Sequence, residues 1–307
     1  MPKAYVYTRH GGPETEAFAD VDRPVPGPGE LLIAVRAAGV NPVDWKLRGG
    51  FRRPGEGEAR FPEVLGSEAA GVVVEVGEGV SGFAAGDEVF GNTAGGAFAQ
   101  YALLTASVTA HKPAALSFTD AATLPVAAAT AYDGVRQLGL PEGATLLVTG
   151  AGGGVGAAAL QIARAWGLRV VGVASEAKKD FVESLGAVHV PSGPGLAERL
   201  RAAAPEGVDA VYDLVGGEVL AEAADLLADR TRLITAGAAP DTVAALGGSR
   251  VERARTAAVL DEVAELVVGG ELDPFVSRTF PLDEAGLALR AVEDGHARGK
   301  IVIEVSA

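Results

Sequence analysis

Thr145-Leu146-Leu147-Val148-Thr149-Gly150-Ala151-Gly152-Gly153-Gly154-Val155-Gly156 decides the fold. A short apolar run passes at once into a glycine-rich turn, and a helical pattern follows from Val155 to Trp166. The turn fits the dinucleotide fingerprint as Ala151-x-Gly153-x-x-Gly156, with alanine in the first glycine place. Small residues there let the backbone approach a pyrophosphate, and the opening helix offers unpaired N–H groups with a partial positive charge. The same letters suit an ordinary turn that packs a helix on a sheet. The strand before, the helix after and a second strand over Arg169 to Ala174 favour the dinucleotide reading.

Downstream, strand and helix patterns alternate. Ala177 to Leu185 reads as helix, and Ala210 to Asp213 and Arg232 to Ala236 read as strands. Such alternation predicts a parallel sheet covered on both faces. After Phe275 come a helix-like stretch, Leu282 to Glu293, and a last strand, Lys300 to Val305. That strand either completes the parallel sheet or returns to the first half of the chain. Upstream, from Lys3 to Leu116, the runs are short and β-like: Ala4 to Tyr7, Leu31 to Val35, Ala70 to Val76 and Asp87 to Phe90. Turn signals such as Pro24 to Gly29 and Gly77-Glu78-Gly79 separate them, which predicts a compact all-β or barrel-like unit.

Composition narrows the function classes. The chain has 307 residues, 48% hydrophobic and 21% charged, which argues against disorder, collagen and coiled coil. Lys plus Arg (26) less Asp plus Glu (40) leaves −14, so its surface repels phosphate backbones and nucleic acid is not an expected partner. With no cysteine, disulfides, thiolate nucleophiles and Cys-ligated zinc are excluded. Met1 to Asp20 lacks the order of a signal peptide, and no apolar run reaches the roughly 18 residues of a membrane span. A soluble, cytoplasmic protein with a small-molecule substrate is expected.

The tip of the second strand bears on the cofactor. NAD enzymes usually place Asp or Glu there, about 20 residues on, for the ribose 2′-hydroxyl. Here the strand ends Gly172-Val173-Ala174-Ser175 and continues Glu176-Ala177-Lys178-Lys179. A hydroxyl and two ammonium groups suit a 2′-phosphate, so NADPH is expected. Two alternatives stay open: a loop shift that brings Glu176 to the ribose, and a solvated first helical turn for Lys178 and Lys179.

Six further blocks accompany the glycine loop. They are Gly39 to Gly49, Leu65 to Val73, Gly86 to Gly91, Gly95 to Tyr101, Leu124-Pro125 with Thr130-Ala131-Tyr132, and His296-Ala297-Arg298-Gly299-Lys300. With them the chain resembles the zinc-independent quinone oxidoreductase branch of the medium-chain dehydrogenase/reductase superfamily. The resemblance implies α/β plus β architecture: a doubly wound parallel Rossmann sheet for NADP(H) over 121–275, and a GroES-like β-barrel substrate domain from 1–120 and 276–307. Zinc-dependent members carry Cys after the Gly-Val pair and Gly-His-Glu in the second block, whereas this chain has Asn41 and Gly66-Ser67-Glu68. Its histidines, His10, His111, His189 and His296, have no ligand spacing, and the free carboxylates Asp44 and Glu68 do not make a zinc site alone. No metal is expected.

Without a Lewis acid, the expected chemistry is hydride transfer from NADPH to a quinone or an α,β-unsaturated carbonyl, whose own electron sink lowers the demand on the protein. Lys46 is the candidate oxyanion or proton donor, or else a surface lysine. By resemblance Asn41 orients the nicotinamide ribose or the substrate, and Asp44 holds its loop. Thr130 meets the cofactor near the nicotinamide, Tyr132 belongs to the core, and Gly153, Gly154 and Val155 meet the pyrophosphate. Ser175, Lys178 and Lys179 serve the 2′-phosphate, and Val215, Gly216, Gly237 and Ala238 give backbone contacts. Pro191-Ser192-Gly193 stands where many relatives have Tyr, leaving Ser192 as the replacement. Arg250, Arg253 and Arg255 either attract an acidic substrate or open a solvated amphipathic helix. A homodimer is expected through the last Rossmann strand, around Phe275 to Phe280. The competing readings are an NADP(H)-binding redox sensor or structural protein without turnover, an enoyl-thioester reductase and, more weakly, a zinc-free alcohol dehydrogenase.

Overall fold

Burial along the strands explains how the chain divides. The computed structural model describes residues 1–52, 59–295 and 297–306, so His296 lies outside the described residues. Two units form, one from Met1–Val126, Arg255–Val268 and the stretch from Val276 onward, the other from Ala127–Ala254 and Gly269–Phe275.

In chain order the first unit contributes strands β1 (Lys3–Tyr7), β2 (Glu16–Asp20), β3 (Glu30–Val40), β4 (Glu63–Val64), β5 (Glu68–Val76), β6 (Glu88–Thr93) and β7 (Tyr101–His111). Helix α1 (Pro42–Arg48) follows β3, and α2 (Phe118–Ala121) follows β7. The second unit runs α3 (Ala129–Leu138), β8 (Thr145–Thr149), α4 (Gly154–Ala165), β9 (Arg169–Ala174), α5 (Lys179–Ser184), β10 (Val188–Pro191) and α6 (Leu196–Ala203). It continues with β11 (Ala210–Asp213), α7 (Gly217–Ala224), β12 (Leu233–Thr235), α8 (Pro240–Ala245) and β13 (Ser249–Arg250). The chain then returns to the first unit with α9 (Ala257–Val268), β14 (Val276–Pro281), α10 (Ala285–Glu293) and β15 (Lys300–Glu304).

β3 organises the first unit because both its edges are paired. β5 takes one edge; on the other, Glu30 to Ala34 face β7 and Ala37 to Val40 face β15. Since β5 pairs β6 and β6 pairs β7, strands β3, β5, β6 and β7 close on themselves, the GroES-like barrel. Leu31, Ile33, Val73, Phe98 and Leu104 fill it. The last strand therefore returns to the first unit. The buried Arg48 locks α1 in place, donating to Glu16 of β2 and, at 2.8 Å, to Glu293 of α10.

The second unit is the Rossmann sheet, all parallel in the order β10-β9-β8-β11-β12-β13. β8 is buried at every residue, as its central place between layers of helices requires. Strand order reverses between β8 and β11, the switch point where open α/β sheets bind ligands.

Two expectations are corrected. Phe275 to Phe280 is not the last Rossmann strand: β14 pairs in parallel with β15 at the edge of the first unit's sheet, and β13 is the outermost Rossmann strand. The span 121–275 also gives up residues at its start and within it, while Gly269–Phe275 stays with the second unit. Residues 121–126 group with the first unit, and so does α9, which lies against β7 with Val259, Leu260, Val263 and Ala264 buried. Among the described residues no helix is long and apolar enough to cross a membrane.

Candidate active site

The glycine turn behaves as its letters require. Gly153 is the N-cap of α4, and Gly153, Gly154 and Val155 are half-buried, so the first turn of the helix keeps its N–H groups near the surface. The methylenes of Lys178 lie across Gly152, so closely that a Cβ at that position would collide with them. Lys178 is half-buried there, while Ser175, Glu176 and Lys179 are exposed. The structure thus separates the two lysines: Lys178 lies on the glycine loop and Lys179 opens α5. Ser192 follows β10, and its N–H donates to the carbonyl of Ala174 at 2.8 Å, which ties the tips of β10 and β9 together.

Beneath these loops lies a group the sequence reading passed over. Asp213, at the end of β11, is fully buried. Its carboxylate accepts from the Thr149 and Thr235 hydroxyls at 2.6 Å each, and from the N–H groups of Val215 at 3.2 Å and Gly216 at 3.0 Å. Thr235 Oγ1 in turn accepts from the N–H groups of Gly237 and Ala238, both at 3.0 Å. One carboxylate and two threonines therefore shape the turns holding Val215, Gly216, Gly237 and Ala238. A polar residue ending each of three neighbouring strands, Thr149, Asp213 and Thr235, was the available signal.

Thr130, on α3, is also held on two sides. The Tyr212 hydroxyl donates to its carbonyl at 2.8 Å, and the Arg253 guanidinium donates to its own hydroxyl. Arg253 Nε reaches Asp133 Oδ2 at 3.2 Å, and the Ala254 N–H reaches the same oxygen at 3.0 Å. Arg250 is bound to the Ala238 carbonyl, and Arg255 sits at φ +47°. Residues 251–256 are irregular, so these arginines do not open a solvated helix; two of them bind parts of their own unit. Tyr132 packs edge-on against Trp166, 5.4 Å between ring centroids.

The first unit gathers the other candidates. Asn41 precedes α1, and its N–H donates to Asp44 Oδ2 at 2.8 Å, while the Ser67 hydroxyl donates to Asp44 Oδ1 at 2.6 Å. Full burial pushes the Asp44 carboxyl up to about 6, against the lowering effect of those two donors, with the nearby Glu68 charge adding to the rise and Lys300 opposing it. Glu68, 0% exposed, takes Lys300 Nζ at 2.9 Å, Asn41 Nδ2 at 2.7 Å and the Val126 N–H at 2.7 Å. The Lys300 ammonium also donates to Asn41 Oδ1 at 2.7 Å and to the Val40 carbonyl at 3.1 Å. Gly39 is required beside this group, because a Cβ there would strike the Glu68 carboxylate and the Ala122 carbonyl.

Asp44 and Glu68 are therefore not free carboxylates. The Asn41 amide, expected to orient ribose or substrate, is committed to Lys300 and Glu68. This donor set does not suit zinc: it offers an amide, a hydroxyl already donating to Asp44, and a carboxylate already balanced by an ammonium. Among the described residues no trio of His, Asp or Glu could hold a metal ion. Lys46 is exposed on α1, its ammonium 5.6 Å from the centroid of the Trp45 ring. One residue on, Leu47 joins Tyr7, Arg52, Arg60, Glu63 and Ser67 in lining a cavity of about 610 Å³ within the first unit.

Comparison with known proteins bears on the family and the fold. The family model for the alcohol dehydrogenase GroES-like domain matches residues 27–114, and that for zinc-binding dehydrogenases matches residues 185–303. The chain is 32% identical to the mitochondrial NAD(P)H oxidoreductase RTN4IP1 of Mus musculus, over 91% of this chain and 82% of that one. Among solved structures it is similar to the quinone oxidoreductase of Coxiella burnetii, with a TM-score of 0.89 and 29% identity over 99% of both chains. A mycobacterial structure complexed with NADPH matches at a TM-score of 0.88 and 29% identity, over 99% of this chain and 100% of that one.

Proposed function

Because the chain belongs to the quinone oxidoreductase-like branch of the medium-chain dehydrogenase/reductase superfamily, we propose that it is an NADPH-dependent reductase of quinones or α,β-unsaturated carbonyls. The observation that carries the reading is the Lys300–Glu68 pair. With that carboxylate already balanced by an ammonium, nothing in the cluster serves as a Lewis acid to ionise an alcohol, so the substrate must bring its own electron sink. When bound, a reduced nicotinamide supplies the hydride.

The residues of this chain do the rest. The N–H groups at Gly154 and Val155 hold the pyrophosphate over Gly153, whose own N–H closes the turn on the Gly150 carbonyl at 3.1 Å, and Lys178, with Ser175 and Ser192 at the neighbouring strand tips, holds the 2′-phosphate. The turns set by Asp213 present Val215, Gly216, Gly237 and Ala238 to the rest of the dinucleotide, and Thr130, positioned by Tyr212 and Arg253, faces the nicotinamide. Lys46 donates to the oxyanion that develops on the substrate. Asn41 acts by fixing the start of α1 and so the place of Lys46, an indirect role compared with direct contact to ligand.

The test follows NADPH and NADH oxidation with one quinone, one enone and one saturated ketone. Turnover of the quinone or enone with NADPH, and little with the ketone or NADH, is the expected result. Lys178→Ala should raise KM for NADPH about tenfold and leave that for NADH unchanged. Lys46→Met should lower kcat by about 10² with the fold intact. Equal use of NADH, or full activity in Lys46→Met, would overturn the respective assignment.

A further inference from the structure

β14 lies at the end of its sheet, and among the described residues no strand pairs with its outer edge. At this end of the sheet a groove of about 580 Å³ lies between α10 and the strands β14 and β15. Leu287, Arg290, Ala291 and Asp294 line it at spacings of three, four and seven residues, one face of the helix. Arg278 and Phe280, two apart and so on one face of β14, line the other wall. Ile301 lies opposite Arg278 on β15, and Arg298 joins the lining.

Two features of this groove are unusual for the chain that carries it. The protein has a net charge of −14, yet the lining holds three guanidinium groups against the single carboxylate of Asp294. Arg278 lies 4.6 Å from the centroid of the Phe280 ring, and neither it nor Arg290 is ion-paired among the described residues. Leu287 leaves 46% of its surface in water directly beside them. A charged side chain on an edge strand ordinarily blocks unwanted pairing. Blocking does not call for a hollow with apolar walls, nor for a helix lining it beside the edge strand. A groove between an edge strand and a helix is the geometry that accepts an added strand: main-chain hydrogen bonds give affinity, and alternate side chains enter the groove.

We infer that this groove docks an extended acidic segment of a partner protein, which adds to β14 as a further strand. Side chains at alternate positions of that segment meet Arg278, the apolar wall of Phe280 and Leu287, and Arg290, so the favoured pattern is acidic, apolar, acidic with one residue between each. Charge complementarity against an otherwise acidic surface selects the partner, and the same surface discourages a second copy of this chain.

The probe is a fluorescein-labelled peptide, Glu-Thr-Leu-Thr-Glu with glycine at each end, followed by anisotropy on the full chain. Binding should weaken about tenfold between low salt and several hundred millimolar salt. It should also weaken about tenfold in the Arg278→Glu/Arg290→Glu variant, both sites being exposed, with the melting temperature unchanged. A peptide with Lys in place of Glu should not bind. A peptide N-methylated at its threonine positions, or in a second version at the other three, should lose binding in one version and keep it in the other, because only one row of N–H groups faces β14. No binding at low salt, full binding to the charge-reversed variant, or equal binding of both N-methylated peptides would overturn the inference. So would a concentration-dependent dimer of the wild type that the charge reversal dissolves, since the edge would then be occupied by a second copy.

Discussion

Glu68 in the first unit and Asp213 in the second are both wholly buried, yet they are stabilised by different means. Asp213 is held by neutral donors alone, two hydroxyls and two backbone N–H groups, and the turns that donate those N–H groups are the turns proposed to hold the cofactor. Glu68 is held by an ammonium, with an amide and one N–H completing its shell. A buried carboxylate without a counter-ion survives only where the backbone itself wraps around it, which suits a site whose loops must be shaped. A buried ion pair needs no such wrapping and instead ties distant segments together, here the end of β3, the start of β5 and the start of β15.

The contrast is most exposed to attack at Lys300. Lys300→Met leaves Glu68 buried without its cation and should cost about 3 to 5 kcal/mol in chemical unfolding. Adding Glu68→Gln should recover most of that loss, because replacing both members of a buried pair is often close to neutral. No second substitution can do the same for Asp213, which has no counter-ion to remove. Failure of the double variant to recover stability would show that Glu68, like Asp213, is held chiefly by its neutral donors.

Next in size is a pH effect at Asp44, whose folded carboxyl is pushed up to about 6 by burial. In the unfolded chain the same group titrates near 3.9, so between about pH 4 and 6 the folded state binds the extra proton and stability falls as pH rises. The component amounts to about 2 to 3 kcal/mol across that window. Asp44→Asn should flatten the slope of unfolding free energy over that range by this amount. An unchanged slope would place the charge-sensitive group of the cluster elsewhere.

Asp213→Asn should have the smallest effect on stability, about 1 to 2 kcal/mol, because one oxygen keeps its donors as neutral hydrogen bonds while the amide nitrogen replacing the other cannot accept from the Thr235 hydroxyl. Its larger consequence should fall on ligand affinity, read as a raised Kd for NADPH by fluorescence titration, since the two turns it organises lose their common acceptor. A full loss of stability with no change in Kd would mean that Asp213 serves the sheet and not the turns.

How much of this was legible depends on distance along the chain. The glycine turn, its flanking strand and helix, and Lys178 lie within about one βαβ unit, and residue type plus spacing suffices to place them. Asp44 and Glu68 were visible as carboxylates but not as a satisfied cluster, because Lys300 lies 232 residues from Glu68 and no local pattern links them. A strand is expected around Phe275 to Phe280, and one forms over Val276–Pro281, but strand character does not say which sheet it joins. Arg253 looked like one charge in a run of three, whereas its partners Thr130 and Asp133 lie more than a hundred residues away.

The sequence by itself determined the alternation of strand and helix in the second half, the glycine turn between β8 and α4 and the lack of any cysteine ligand, because periodicity, glycine placement and side-chain chemistry act over short spans. Only the tertiary structure decided that Lys300 neutralises Glu68, that Asp213 shapes the turns beneath the glycine loop, that β14 ends the first unit's sheet, and that three arginines meet over one groove. Those outcomes depend on which distant segments share a dry interior or an edge. There, the cost of burying a charge without a partner does the selecting.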